Sequence, residues 1–237
     1  MRNAWLWILG ILLVAAVGPA AATPVETVFG IDVARAVEDR VTRSAFAGVG
    51  VGLGPRAAAS FALAGGDDPA VGRTSALVVG LAVAPSATTR LRLRGVRSLD
   101  AGNAPAFVRV LAGPEFGAPD ATRLGLLYVF EANAAGDRSD GVRAELAVPV
   151  AARWVARVNA TWATVPRAAD ALSASLGASF APARLLELVG ELGVARGTAL
   201  SQQGPLDRLP GDSVPGSAAT TTKPTPIALV GFRVTLP

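Results

Sequence analysis

Alternation of residue character runs through most of this chain, and no other feature restricts its fold so strongly. Between 172 and 180, Leu172, Ala174, Leu176, Ala178 and Phe180 alternate with Ser173, Ser175, Gly177 and Ser179. A period of two is the mark of a β-strand, whose successive side chains point to opposite faces. The same pattern sets Leu91 and Leu93 against Arg90, Arg92 and Arg94, and Leu124, Leu126, Tyr128 and Phe130 against Arg123, Gly125 and Glu131. It returns at Leu146 and Val148 against Arg143 and Glu145, at Leu186, Leu188 and Leu192 against Glu187 and Glu191, and at Val230, Phe232, Val234 and Leu236 against Arg233 and Thr235. The expected fold class is all-β, built from many short strands.

Helices fit poorly. After the first ~20 residues no apolar run approaches the ~18–20 residues a membrane-spanning helix needs. Glycine falls mostly inside the alternating segments and proline mostly between them, as in a chain of strands and turns. Short turns are expected at Pro55-Arg56, Pro85-Ser86-Ala87, Ala151-Ala152 and Pro182-Ala183-Arg184, and longer polar connections at 65–73, 100–106, 133–141 and 198–225. The two kinds alternate along the chain, with 117–122 and 166–170 intermediate in length. From Ser44 onward there are about eleven strands, ending at 226–236, and the alternation of loop lengths calls for one more before them. Residues 25–33 fill that place, with Phe29, Ile31 and Val33 set against Gly30 and Asp32. The total is about twelve.

The first residues have a different character. Met1-Arg2-Asn3 gives a short positive start, 4–17 an apolar core, and Gly18-Pro19 a break before Ala20-Ala21-Ala22. This is the pattern of a cleaved signal peptide over 1–22, with 23–237 as the exported domain. An uncleaved N-terminal anchor helix is the alternative, and the short core speaks against it.

Half of the residues, 51%, are hydrophobic and only 17% are charged, which is rich in apolar surface for a soluble sandwich. Trp154 and Trp162 share one face of one expected strand. Eight residues apart at ~3.3 Å each and tilted by ~40°, they stand ~20 Å apart along a barrel axis. That approaches the height of the apolar band between two aromatic girdles. In pattern and length, over the whole of 23–237, the chain resembles a small bacterial outer-membrane β-barrel of about twelve strands, the even count such barrels have. Barrels of this class usually end in an aromatic residue, and here the nearest is Phe232. The resemblance implies an antiparallel transmembrane barrel in the bacterial outer membrane, bounded by its lipid and inserted by the barrel-assembly machinery.

With the larger apolar faces toward lipid, the alternate faces line the lumen. Strands two to four would line it with small residues such as Gly48, Gly50, Gly52, Ser60, Ala62, Gly80 and Ala82. Strands five to nine would contribute Arg90, Arg92, Arg94, Arg109, Arg123, Arg143, Arg153 and Arg157, strand eleven Glu187 and Glu191, and strand one Glu26 and Asp32. Strand five stands opposite strand eleven in a twelve-stranded closure, so an arginine wall would face a carboxylate wall. Such walls set a transverse field and select solutes by charge. The expected function is a channel or transport barrel for small solutes, anions among them. The alternatives are a structural or adhesion barrel, its lumen plugged by Arg–Glu pairing and its loops binding partners, and a soluble exported sandwich. Glu131 and Glu145, inside the arginine sector, favour local pairing.

Other function classes are disfavoured. Cysteine and histidine are both absent, which removes thiolate and imidazole metal ligands and every Ser/His nucleophile. Glu187 and Glu191 lie ~13 Å apart along a strand, beyond the ~5–9 Å of a carboxylate pair. Gly48-Val49-Gly50-Val51-Gly52 lacks the lysine and helix of a phosphate loop. A net charge of +4 spread along strands does not suggest nucleic acid. No catalytic residue, metal or cofactor is expected. The 198–225 connection, rich in Gly, Pro, Ser and Thr, is expected as a surface loop, or else as a constriction of the mouth or a contact for an outside partner.

Overall fold

The computed structural model describes residues 25–36, 41–68, 72–102, 106–118, 120–164, 170–183, 185–197 and 221–236. The expected signal peptide, 1–22, lies outside them. The described residues form β1 (Val25–Ala36), β2 (Val41–Gly52), β3 (Ala57–Asp68), β4 (Gly72–Val83), β5 (Thr89–Asp100), β6 (Phe107–Phe116), β7 (Arg123–Asn133), β8 (Arg138–Ala151), β9 (Trp154–Thr164), β10 (Ala171–Ala183), β11 (Leu186–Gly197) and β12 (Thr221–Leu236), with no helix among them. Each strand pairs antiparallel with the next, and β1 pairs with β12 from Thr27↔Leu236 to Ala36↔Ile227, closing the barrel. Closure leaves no sheet edge, so the backbone donors and acceptors are met within the wall.

The alternation read from the sequence becomes an inside and an outside. Phe61, Leu81, Leu93, Leu126, Val158, Leu176, Leu192 and Val230 all point outward, and the last three are 63%, 69% and 69% exposed in the order Leu176, Leu192, Val230. An apolar exterior this continuous far exceeds the patches of a few hundred Å² that soluble proteins carry. It is stable against hydrocarbon. Trp154 and Trp162 lie on this outer face near opposite ends of β9, both partly exposed. Trp154 stacks on Phe180 of β10 with ring centroids 4.6 Å apart, and the Trp162 indole N–H donates to Asp170 at 3.2 Å. An apolar ring with a polar tip suits a membrane–water boundary.

Several strands run further than the sequence suggested. Gly65 to Asp68 continue β3, Arg138 to Gly141 belong to β8, and Thr221 to Thr225 begin β12. The β3–β4 and β7–β8 connections therefore shrink to 69–71 and 134–137, shorter than 117–122 at the other end. The reason is that ladder hydrogen bonds do not need apolar side chains: Gly66 pairs with Thr74 and Asp67 with Arg73 beyond the apolar belt. Loop length separates the two ends only through 198–220. That end is the loop end and the other, with 53–56, 84–88, 117–122, 152–153 and 184–185, is the turn end. Gly117 shows how tight one turn is, for at φ +116° a Cβ would stand 2.1 Å from the Thr122 carbonyl oxygen.

Candidate functional site

The inward face divides into two halves. Toward the loop end, Phe46, Ala62, Ala64, Ala76, Val78, Val96 and Phe107 form one buried apolar cluster across β2 to β6. Small residues on β3 and β4 leave the room that the two phenylalanines fill. Gly30 of β1 is part of this fit, since a Cβ there would stand 2.2 Å from Cζ of Phe46. Among the described residues of the other strands, Leu111, Leu127, Arg143, Asn159, Ser175, Glu191 and Leu229 are buried as well, all at 8% exposure or less. This packed level is the waist of the lumen.

Toward the turn end the lumen opens into a cavity of about 260 Å³, lined by Arg90, Arg92, Arg94, Arg123, Arg157, Asn159, Glu115, Glu145, Gly125 and apolar neighbours. Exposure falls with depth: the side chain of Arg90 near the mouth is 38% exposed and that of Arg92 is 17%. The cavity is a vestibule, open at the turn end and closing toward the waist.

Within it the charges pair laterally. Glu115 of β6 takes Arg90 at 3.4 Å and Arg92 at 3.2 Å, with Arg123 at 3.8 Å. Arg92 also reaches Glu145, three strands away on β8, at 2.7 Å. It does so over Gly125, the inward position of β7 that carries no side chain; a Cβ there would lie 3.6 Å from the Arg92 Nη1. Glu145 is held on its other oxygen by Arg143 at 2.7 Å. Deeper toward the loop end, Arg109 and Glu131 pair directly across β6 and β7, with Arg109 Nη2 at 2.5 Å. On the far wall Glu187 of β11 lies between Arg157 at 3.2 Å and Arg233 at 3.6 Å, and Asn159 donates to Glu191 at 3.4 Å.

Arg90, Arg92, Arg94, Arg109, Arg123, Arg143, Arg157, Glu187 and Glu191 thus all sit on inward faces. They do not form two opposed walls. Carboxylates interleave with arginines around the circumference, because a buried guanidinium is stable only beside a counter-charge within side-chain reach. Arg153 does not line the lumen: it lies in the β8–β9 turn, exposed, and donates to the Pro182 carbonyl at 3.1 Å. Glu26 and Asp32 stand in register with Gly50 and Ser44 on β2, and their side chains lie outside the described residues. Three contributors were not singled out from the sequence: Glu115, Asn159 and Arg233, the last only 2% exposed. Parity along β6, β9 and β12 marks each as inward, and that was the available signal. The 198–220 connection lies outside the described residues.

Twelve antiparallel strands, a closed ladder and an apolar outside around a polar inside decide the architecture. The fold is that of the bacterial outer-membrane β-barrels. The barrel is similar to the NanC porin at 10% identity and a TM-score of 0.62, over 88% of this chain and 100% of that one. It is similar also to the KdgM porin (8%, TM-score 0.58, 87% and 98%) and to OmpT, an outer membrane protein of Vibrio cholerae (8%, TM-score 0.51, 91% and 99%). No family model and no curated protein sequence matches the chain. The continuous apolar exterior of the barrel suits a wall that spans a membrane.

Proposed function

We propose that the protein is an outer-membrane channel that passes small solutes and prefers anions. The observation that carries this reading is the vestibule, whose lining has five arginines against two glutamates. An excess of fixed positive charge in a narrow, low-dielectric space concentrates anions and repels cations. The names of two barrels of similar fold, the NanC and KdgM porins, support passage as the activity. In the usual orientation the loop end faces outside and the vestibule opens to the periplasm. Outer-membrane lipid bounds the barrel, the barrel-assembly machinery inserts it, and the proposed activity involves no chemical step.

A second reading rests on the waist. Buried Val78, Val96 and Phe107 beside ion-paired Arg109 and Glu131 suit a structural barrel with a closed lumen. Planar-bilayer recording on refolded protein separates the two. The channel reading expects steps of conductance whose reversal potential in a salt gradient lies on the anion side. Silent bilayers containing correctly folded barrel would establish the structural reading instead.

A further inference from the structure

The vestibule carries more than a diffuse field. Arg90 and Arg123 reach it from β5 and β7, and both lie within 4 Å of the same oxygen, Oε1 of Glu115. These contacts, at 3.4 and 3.8 Å, are long for charge-assisted hydrogen bonds, which run at ~2.7–2.9 Å. Glu115 also serves Arg92, so a single carboxylate is shared among three guanidinium groups. The side chains of Arg90 and Arg123 remain 38% and 29% exposed and line the cavity. Arg157 continues the same wall. Arg123 pairs in register with Ala147, and Ala147 with Arg157, which sets the two arginines two strands, roughly 10 Å, apart. Arg157 reaches Glu187 through Nη2, while its Nε and Nη1 are buried without a hydrogen-bond partner in a side chain that is 11% exposed.

We infer that Arg90, Arg123 and Arg157 form a binding site for a phosphate group, free or carried on a small solute, at the turn-end mouth. Three guanidinium groups from three strands match a tetrahedral oxyanion, which offers an oxygen to each and carries up to two charges. A lone carboxylate is planar and is satisfied by a single fork. The cavity of about 260 Å³ suits a compact anion, below the roughly 300–1000 Å³ of drug-sized sites. The inference rests on the reading of the lumen as a route for anions and adds a place where one kind of anion stops.

Isothermal titration calorimetry on the refolded barrel in detergent, in low-chloride buffer, tests it with inorganic phosphate, glycerol phosphate and acetate. Saturable binding of inorganic phosphate is expected, with acetate at least about tenfold weaker. Glycerol phosphate binding as well as inorganic phosphate would assign the site to phosphate-bearing solutes, and weaker binding would assign it to the free ion. Arg123→Gln and Arg157→Gln should each weaken phosphate by about tenfold. Arg97→Gln, on the outer face, should leave binding unchanged, and heat-modifiable gel migration verifies folding of every variant. No saturation with phosphate, equal affinity for acetate, or unchanged binding in both folded variants overturns the site. Anion-selective conductance without phosphate binding removes this inference and leaves the channel; phosphate binding to an electrically silent barrel does the reverse.

Discussion

At the scale of single residues, the lumen is governed by what a buried charge requires. Arg109 and Glu131, with side chains 4% and 7% exposed, face each other directly across β6 and β7. Removing one partner of such a pair costs about 3–5 kcal/mol, because it strands the other charge, whereas replacing both by apolar groups is often neutral. Glu131→Gln should therefore lower the urea midpoint of the detergent-solubilised barrel strongly, and Arg109→Met with Glu131→Leu should recover most of the loss. Gly30 and Phe46 make a steric pair of the same kind. Gly30→Ala drives a methyl into the Phe46 ring, at a cost of about 1–3 kcal/mol. Adding Phe46→Leu should restore part of that stability, and a double-mutant cycle on thermal midpoints measures the coupling.

At the scale of the strand, neighbouring residues live in different solvents. On β10, Leu176 faces lipid at 63% exposure while Ser175, next in the chain, is 6% exposed inside. Leu176 lies near the middle of Ala171–Ala183, where an arginine on the lipid face costs about 2–4 kcal/mol. Leu176→Arg should destabilise the barrel in lipid vesicles by that amount, measured by reversible urea unfolding. A soluble sandwich would tolerate the change, so an unaffected midpoint would contradict the membrane belt. This alternation was legible in the sequence because period two is a local property. Strand ends were not. Gly65 to Asp68 and Thr221 to Thr225 look like loop, and they are strand because their partners Gly72 to Ser75 and Ala195 to Gly197 are in place to accept them. A composition-based reading stops where apolar residues stop, and the hydrogen-bond ladder does not.

At the scale of the whole molecule, a vestibule open at the turn end meets a waist packed with apolar residues on one side and paired charge on the other. Phe46 and Phe107 are the largest apolar members of that waist, at 5% and 8% exposure. Truncating both to alanine should raise single-channel conductance while leaving anion preference in place, since the vestibule arginines remain. A rise in conductance with lost selectivity would move the selectivity filter from the vestibule to the waist. By itself the sequence determined the strand cores, their two faces, the count of about twelve and most of the charges that turn inward, because strand periodicity and an apolar belt need only neighbours along the chain. Which charges meet was decided only by the tertiary structure. Arg92 finds Glu145 from three strands away because Gly125 leaves its path open, and Glu187 settles between Arg157 and Arg233 instead of facing an arginine wall. Side-chain reach across a narrow closed barrel links residues far apart in the chain, and the register and the width of the lumen that set this reach exist only once the barrel has closed.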